Sequence, residues 1–205
     1  MCLGPTGMND DLAFRHALLA LVALVLPVLL YYRIRSQATG EALDRRQEGL
    51  FILVTLRPAA AAAYGGIIAF LIDPAWMAWS SVPLPSGLRW AGVAVCAAAG
   101  ALWIWTFYRL GPNLTDTVVT RRAHALVTNG PYRWVRHPFY GCVALFTAGT
   151  ALLAANWFVG VTGALVVALL VVRTRTEEAH LLARFGPAYQ QYIHRTGRFL
   201  PRLGR

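Results

Sequence analysis

Two short stretches hold most of the side chains that could do chemistry. The first runs from Gly130 to Tyr140 and reads Gly-Pro-Tyr-Arg-Trp-Val-Arg-His-Pro-Phe-Tyr. It gathers arginines, a histidine and aromatic rings directly before an apolar segment. The second is the acidic pair Glu177-Glu178, directly after the next apolar segment. A tight helical hairpin between them returns both clusters to one side of a membrane, so distant pieces of chain can build one site. His137 precedes Pro138, which pushes its backbone out of the α region. Pro138 suits the first turn of a helix, where its missing N–H costs nothing. A helix is therefore expected to start at Pro138, with free N–H groups and a positive dipole end offered to an anionic or electron-rich group. On the far arm, Arg173, Thr176, Glu177 and His180 fall on one side at helical spacing, and Arg173 and Glu177 are close enough to pair.

The elements that must hold these clusters are membrane helices. The chain has 205 residues, 57% hydrophobic and only 14% charged, against about 25% charged in a soluble domain. Leu12 to Tyr32, Leu50 to Ile72, Leu88 to Leu110 and the hairpin Phe139 to Val172 are apolar enough to enter a bilayer about 30 Å thick. The hairpin breaks at Asn156-Trp157 into two short arms. The expectation is an all-α polytopic bundle of about five helices, with both polar clusters at the cytoplasmic end of the last hairpin. Residues 1–110 form the scaffold. Residues 111–205 form the catalytic region, ending in an amphipathic interfacial tail around Leu181, Phe185, Tyr189 and Tyr192. The first segment reads as a retained anchor, because Asp10 and Asp11 stand where a cleaved signal is positive.

All 19 basic residues are Arg, and sixteen fall in residues 33–46, 109–136 and 173–205. The positive-inside rule then puts the N-terminus outside and the Arg-rich loops and C-terminus in the cytoplasm. The absence of Lys points to a GC-rich bacterial coding bias, hence a bacterial cytoplasmic membrane. The charge of +10 is a topology signal with an attraction to anionic membrane lipids. No soluble basic face suggests a nucleic-acid partner. The five histidines are scattered and the three cysteines unpaired, so no metal site is expected. Glycine-rich nucleotide loops and nucleophile elbows are absent. Arg57, about seven residues into the second helix, either faces a polar cavity or snorkels to the interface.

The order His124, Leu126-Val127, Gly130-Pro131-Tyr132, Arg136-His137-Pro138, Tyr140, Arg173, Glu177-Glu178, Phe185-Gly186, Tyr189, Tyr192 and Pro201 resembles the isoprenylcysteine carboxyl methyltransferase family of membrane enzymes, which is related to phospholipid N-methyltransferases. The resemblance covers about residues 108–201. It implies S-adenosyl-L-methionine as cofactor, and a lipophilic small-molecule or isoprenylcysteine-like acceptor bearing a carboxylate or thiol. It implies His124, Leu126, Val127, Gly130 and Tyr132 on the adenosine side. His137, Pro138 and Tyr140 would line the ribose and methionine portion. Glu177 and Glu178 would meet the ammonium group or ribose hydroxyls. Arg57, Asn113 and Arg173 are assigned to the acceptor, and Glu178 or His137 becomes the base if that acceptor is an amine. The physics agrees: carboxylates suit an ammonium, arginine and helix-terminal amides suit a carboxylate, and aromatic faces suit a sulfonium. One departure is informative. Tyr140-Gly141-Cys142-Val143 lacks the Gly-x-Gly of the phospholipid enzymes, which argues against a phospholipid acceptor.

Two competitors belong to other classes. NADPH-dependent sterol or steroid reductases share an Arg-His-x-x-Tyr segment, but an acidic pair suits a polyanionic dinucleotide poorly. A non-catalytic membrane scaffold gives no reason for His137 and Glu177 to converge.

Overall fold

The structure is a computed structural model, and it describes residues 5–37, 50–111 and 125–202. It contains α1 (Pro5–Gln37), α2 (Leu50–Ile72), α3 (Ser86–Leu110), α4 (Pro138–Leu153), α5 (Trp157–Phe185) and α6 (Pro187–Arg195). Four of these, α1, α2, α3 and α5, are long and apolar enough to cross a membrane, and α4 is a shorter apolar helix. The chain is thus an all-α, multi-pass membrane bundle. The first helix extends well past the apolar run Leu12 to Tyr32 at both ends. The linker expected between α2 and α3 contains a 3₁₀ turn, Pro74–Ser80, started by the Asp73 side chain accepting from Ala75 N at 2.9 Å.

Small residues set the closest helix crossings, as membrane packing requires. A Cβ on Gly92 of α3 would stand 2.6 Å from the Leu153 nitrogen and 2.7 Å from the Gly149 oxygen of α4. Gly163 of α5 similarly receives Thr147 of α4. The bundle pairs α3 with α4 and α1, and α2 with α5, while α2 and α3 scarcely touch each other.

The end of the bundle at the α4–α5 turn is solid. Phe14, Leu18, Ile67, Phe70, Met77, Leu153 and Val159 form one buried cluster there. Asn156 starts α5 by accepting from Val159 N at 3.1 Å, and its amide donates to the Met77 carbonyl at 3.1 Å and to Ser80 Oγ at 2.8 Å. The two turns are thereby sewn together, as the isolated bridge between Ser81 and Asn156 also shows. Arg15 Nε donates to Leu71 O at 2.7 Å, and Arg89 Nε donates to Leu153 O at 2.9 Å. Each arginine satisfies a carbonyl left over at a helix C-terminus, where the dipole favours a cation. Arg89 also ion-pairs with Asp11 at 2.7 Å and lies 4.0 Å over the Phe14 ring. Two of the three arginines outside the Arg-rich stretches therefore have structural partners. The third, Arg57, is exposed on α2.

Candidate functional site

The opposite end of the bundle is hollow. A cavity of about 320 Å³ is lined by α2, α3, α4, α5 and α6 and by Arg33 at the end of α1. Its floor and middle are apolar: Ala63, Ile67, Trp103, Val143, Phe146, Thr147 and Val166. Its mouth carries Arg33, Arg136, His137, Tyr140, Arg173, Glu177, Tyr189 and Tyr192, with the strip Ala125 to Val127 beside them.

The mouth is assembled by the segment before α4. Gly130 has φ of +61°, and a Cβ there would stand 2.5 Å from Arg109 Cγ, so glycine is needed on both counts. The 3₁₀ turn Gly130–Arg133 follows and turns Tyr132 inward, where it is buried. Val135 then pairs in parallel with Gly197 of the tail. Arg136 N donates to Gly197 O at 2.9 Å, His137 N to Arg198 O at 3.1 Å, and Gly197 N to Trp134 O at 3.1 Å. Helix α4 starts at Pro138, and His137, at φ −123° and ψ 60°, lies outside the α region, as expected for a residue before proline.

Helix geometry separates the acidic pair. Glu177 lines the cavity and accepts from the Tyr140 hydroxyl at 2.6 Å, with His137 Nδ1 3.8 Å away. His137 stacks on Tyr140 at 5.3 Å between centroids and 10° between planes, and the Phe199 ring lies tilted against it at 5.8 Å. Glu178 is not part of the cavity lining. It accepts from Arg136 Nε at 2.8 Å, from His137 Nε2 at 3.3 Å and from the Arg198 guanidinium. Arg136 continues the network by donating to Thr196 O at 2.7 Å. Charge-assisted bonds of this kind are shorter and stronger than neutral ones. Glu178 therefore fastens the tail to α4 and α5, and Glu177 is the carboxylate that faces the cavity.

Three tyrosines complete the mouth. Tyr192 donates to the Tyr132 carbonyl at 2.6 Å, which locks α6 against the 3₁₀ turn. The Tyr189 hydroxyl is buried without a hydrogen-bond partner among the described residues. Burial pushes all three phenols above their ordinary value, and the Glu177 charge adds to this at Tyr132. They remain neutral donors at physiological pH.

The sequence profile of the isoprenylcysteine carboxyl methyltransferase family matches residues 91–183. The cobalt-zinc-cadmium resistance protein CzcN of Cupriavidus metallidurans is 30% identical over 169 residues, which are 82% of this chain and 69% of that protein. This chain belongs to the isoprenylcysteine carboxyl methyltransferase family. A second relative of this family member is the protein-S-isoprenylcysteine O-methyltransferase of Homo sapiens, 32% identical over 126 residues, 60% of this chain and 42% of that protein. The solved structure of the eukaryotic intramembrane Ras methyltransferase ICMT superimposes with a TM-score of 0.50 at 26% identity, over 71% of this chain and 51% of that one. The chain thus spans about half the length of the eukaryotic relatives it matches.

The family profile begins inside α3 and ends inside α5. Arg33, Tyr64, Phe185, Tyr189 and Tyr192 lie outside it, yet they all line the cavity of this family member. Of the residues expected from sequence, Leu126, Val127, Tyr132, His137, Tyr140, Arg173 and Glu177 converge on the cavity. Pro138 and Gly130 shape its walls without lining it. Arg57 is exposed on α2 and is not among the lining residues, and Glu178 sits behind the lining. His124 and Asn113 lie outside the described residues. Sequence reasoning missed Arg33, Trp103 and the tail segment from Thr196 to Phe199. Among the described residues no group of three or more His, Cys, Asp or Glu side chains could hold a metal ion.

Proposed function

We propose that this chain is an integral membrane methyltransferase that moves a methyl group from S-adenosylmethionine to a lipophilic acceptor bearing a carboxylate or thiolate. The observation that carries this reading is a single cavity running from a charged mouth to an apolar floor. Such a cavity can take a cationic cofactor at one end and a membrane-borne acceptor at the other. The residues fit the cofactor's groups. Glu177 supplies a negative charge for the ammonium, Tyr189 a buried donor in need of an acceptor, and Tyr140 and His137 a stacked aromatic wall for a sulfonium. When bound, the cofactor supplies an activated methyl on sulfur.

The chain's own part is positioning. Tyr140 holds the Glu177 carboxylate in one orientation. Arg173, one turn earlier on α5, orients an anionic acceptor with its planar fork. The apolar walls exclude water and raise the effective concentration of the acceptor. An anionic acceptor needs no base, which suits a site where Glu178 already accepts from Arg136, His137 and Arg198. The human relative is an O-methyltransferase, which supports an acceptor oxygen, as a carboxylate offers. A reductase reading is disfavoured, because the cavity offers a carboxylate where NADPH carries phosphates.

The test is transfer of labelled methyl from S-adenosylmethionine by the purified protein. The acceptors are a panel of lipophilic carboxylic acids and thiols extracted into organic solvent. Label in the organic phase is the expected result. Absence of transfer together with heat protection by NADPH alone would reverse the assignment. The same reading places α6 and the Arg-rich mouth in the cytoplasm and the N-terminus outside. A Thr120→Cys protein labelled by an impermeant reagent only from outside intact cells would overturn that orientation.

A further inference from the structure

The cavity also carries a measure of length. We infer that its apolar arm is a sleeve with a closed floor, selecting acceptors whose apolar tail is short, on the order of eight carbons. This rests on the methyltransferase reading above and deepens it to an acceptor class: a single-chain acid or thiol of medium length.

Two antiparallel helices mark the floor independently. Below the charged mouth, the lining on α4 runs from Tyr140 to Thr147, and on α5 from Arg173 back to Val166. Both spans are seven residues, which at the helical rise is about 10 Å below the charged mouth. An extended chain advances somewhat less than one bond length of about 1.5 Å per carbon, so this depth holds about eight carbons.

Beyond that level the interior is filled. Thr147 is pressed against Gly163, where a Cβ would come within 2.7 Å of the Thr147 Cβ, and its hydroxyl is turned back to Val143 O at 2.8 Å. Ile67 belongs both to the cavity wall and to the solid cluster with Phe70, Met77 and Val159. The Phe158 ring covers Gly66 beside it. Close-packed interiors of this kind resist added methylenes. A longer tail has to bend sideways between α2 and α3, past Tyr64, which lines the cavity and is 55% exposed.

The experiment uses the full chain in lipid nanodiscs with S-alkylmercaptoacetic acids whose straight tails run from about four to about sixteen carbons. Turnover is expressed per mole fraction of acceptor in the membrane, and S-adenosylhomocysteine binding is measured on the same samples. The expected profile peaks near eight carbons and falls at least tenfold by sixteen. Val166→Phe should move the peak to shorter tails and Thr147→Ala to longer ones. A profile that is level or rising to sixteen carbons, with S-adenosylhomocysteine still bound, overturns the sleeve and leaves the methyltransferase reading intact. Absence of S-adenosylhomocysteine binding overturns the reading on which the sleeve rests.

Discussion

At the α4–α5 turn, Asn156 makes three hydrogen bonds, and Arg15 and Arg89 each satisfy a terminal helix carbonyl. At the other end, Arg173, Glu177 and Tyr189 line an open space. The same residue types thus serve opposite purposes about one bundle length apart. At the solid end, polar side chains compensate backbone groups that lipid cannot satisfy. At the hollow end, loop backbone pairs with loop backbone in the Val135–Gly197 bridge, Arg136 and Tyr192 serve carbonyls of the tail and the 3₁₀ turn, and Glu177 and Tyr189 face the cavity. A charged residue in a membrane bundle is therefore read by what it touches. Arg89 and Arg173 are both arginines on long apolar helices, but Arg89 is buried against a carbonyl, an aspartate and a phenyl ring, and Arg173 lines the cavity.

The sharpest way to break this contrast is at Glu178, which behaves like a solid-end residue placed at the hollow end. Glu178→Gln keeps the shape but leaves Arg136 and His137 buried beside a neutral amide. Removing one partner of a buried ion pair costs about 3 kcal/mol or more. The tail should detach, seen as rapid proteolysis between residues 196 and 202 and a lowered melting temperature. A variant as protease-resistant as the parent would mean that the contacts from Arg136, His137 and Arg198 contribute nothing.

The second effect is smaller and confined to the solid end. Gly92→Ala forces a methyl into backbone atoms of α4 and should cost about 1–3 kcal/mol of stability. Cofactor affinity at permissive temperature should stay at the parent value, because α3 meets α4 there far from the mouth. A variant that loses cofactor affinity while keeping its melting temperature would join the two ends that the structure separates.

Much of this architecture is legible from sequence because its causes are local. Proline chemistry places the start of α4 at Pro138, the polar break at Asn156 places the hairpin turn, and helical spacing puts Arg173 and Glu177 on one face. The division of labour between Glu177 and Glu178 is not legible from the pair alone. Adjacent helical residues point in different directions, but which faces the ligand depends on Arg198, some twenty residues away on an irregular tail. The parallel bridge between Val135 and Gly197 has no periodic signature, since single bridges between loops leave no hydrophobic alternation. Arg33 reaches the mouth only because α1 extends past its apolar run. Arg57 illustrates the converse: a charge inside an apolar helix invites a functional reading, and its exposed position on α2 instead leaves it at the surface.

The account stands on Glu177 as the carboxylate that a cationic cofactor meets. Calorimetric titration of S-adenosylhomocysteine into the parent protein and into Glu177→Gln tests this directly. Loss of a charge-assisted bond of about 1.5–3 kcal/mol predicts one binding site in the parent and affinity weakened about tenfold or more in the variant, with the melting temperature of the free protein little changed. Equal affinities in the two proteins, or heat evolved with NADPH and none with S-adenosylhomocysteine, would contradict it.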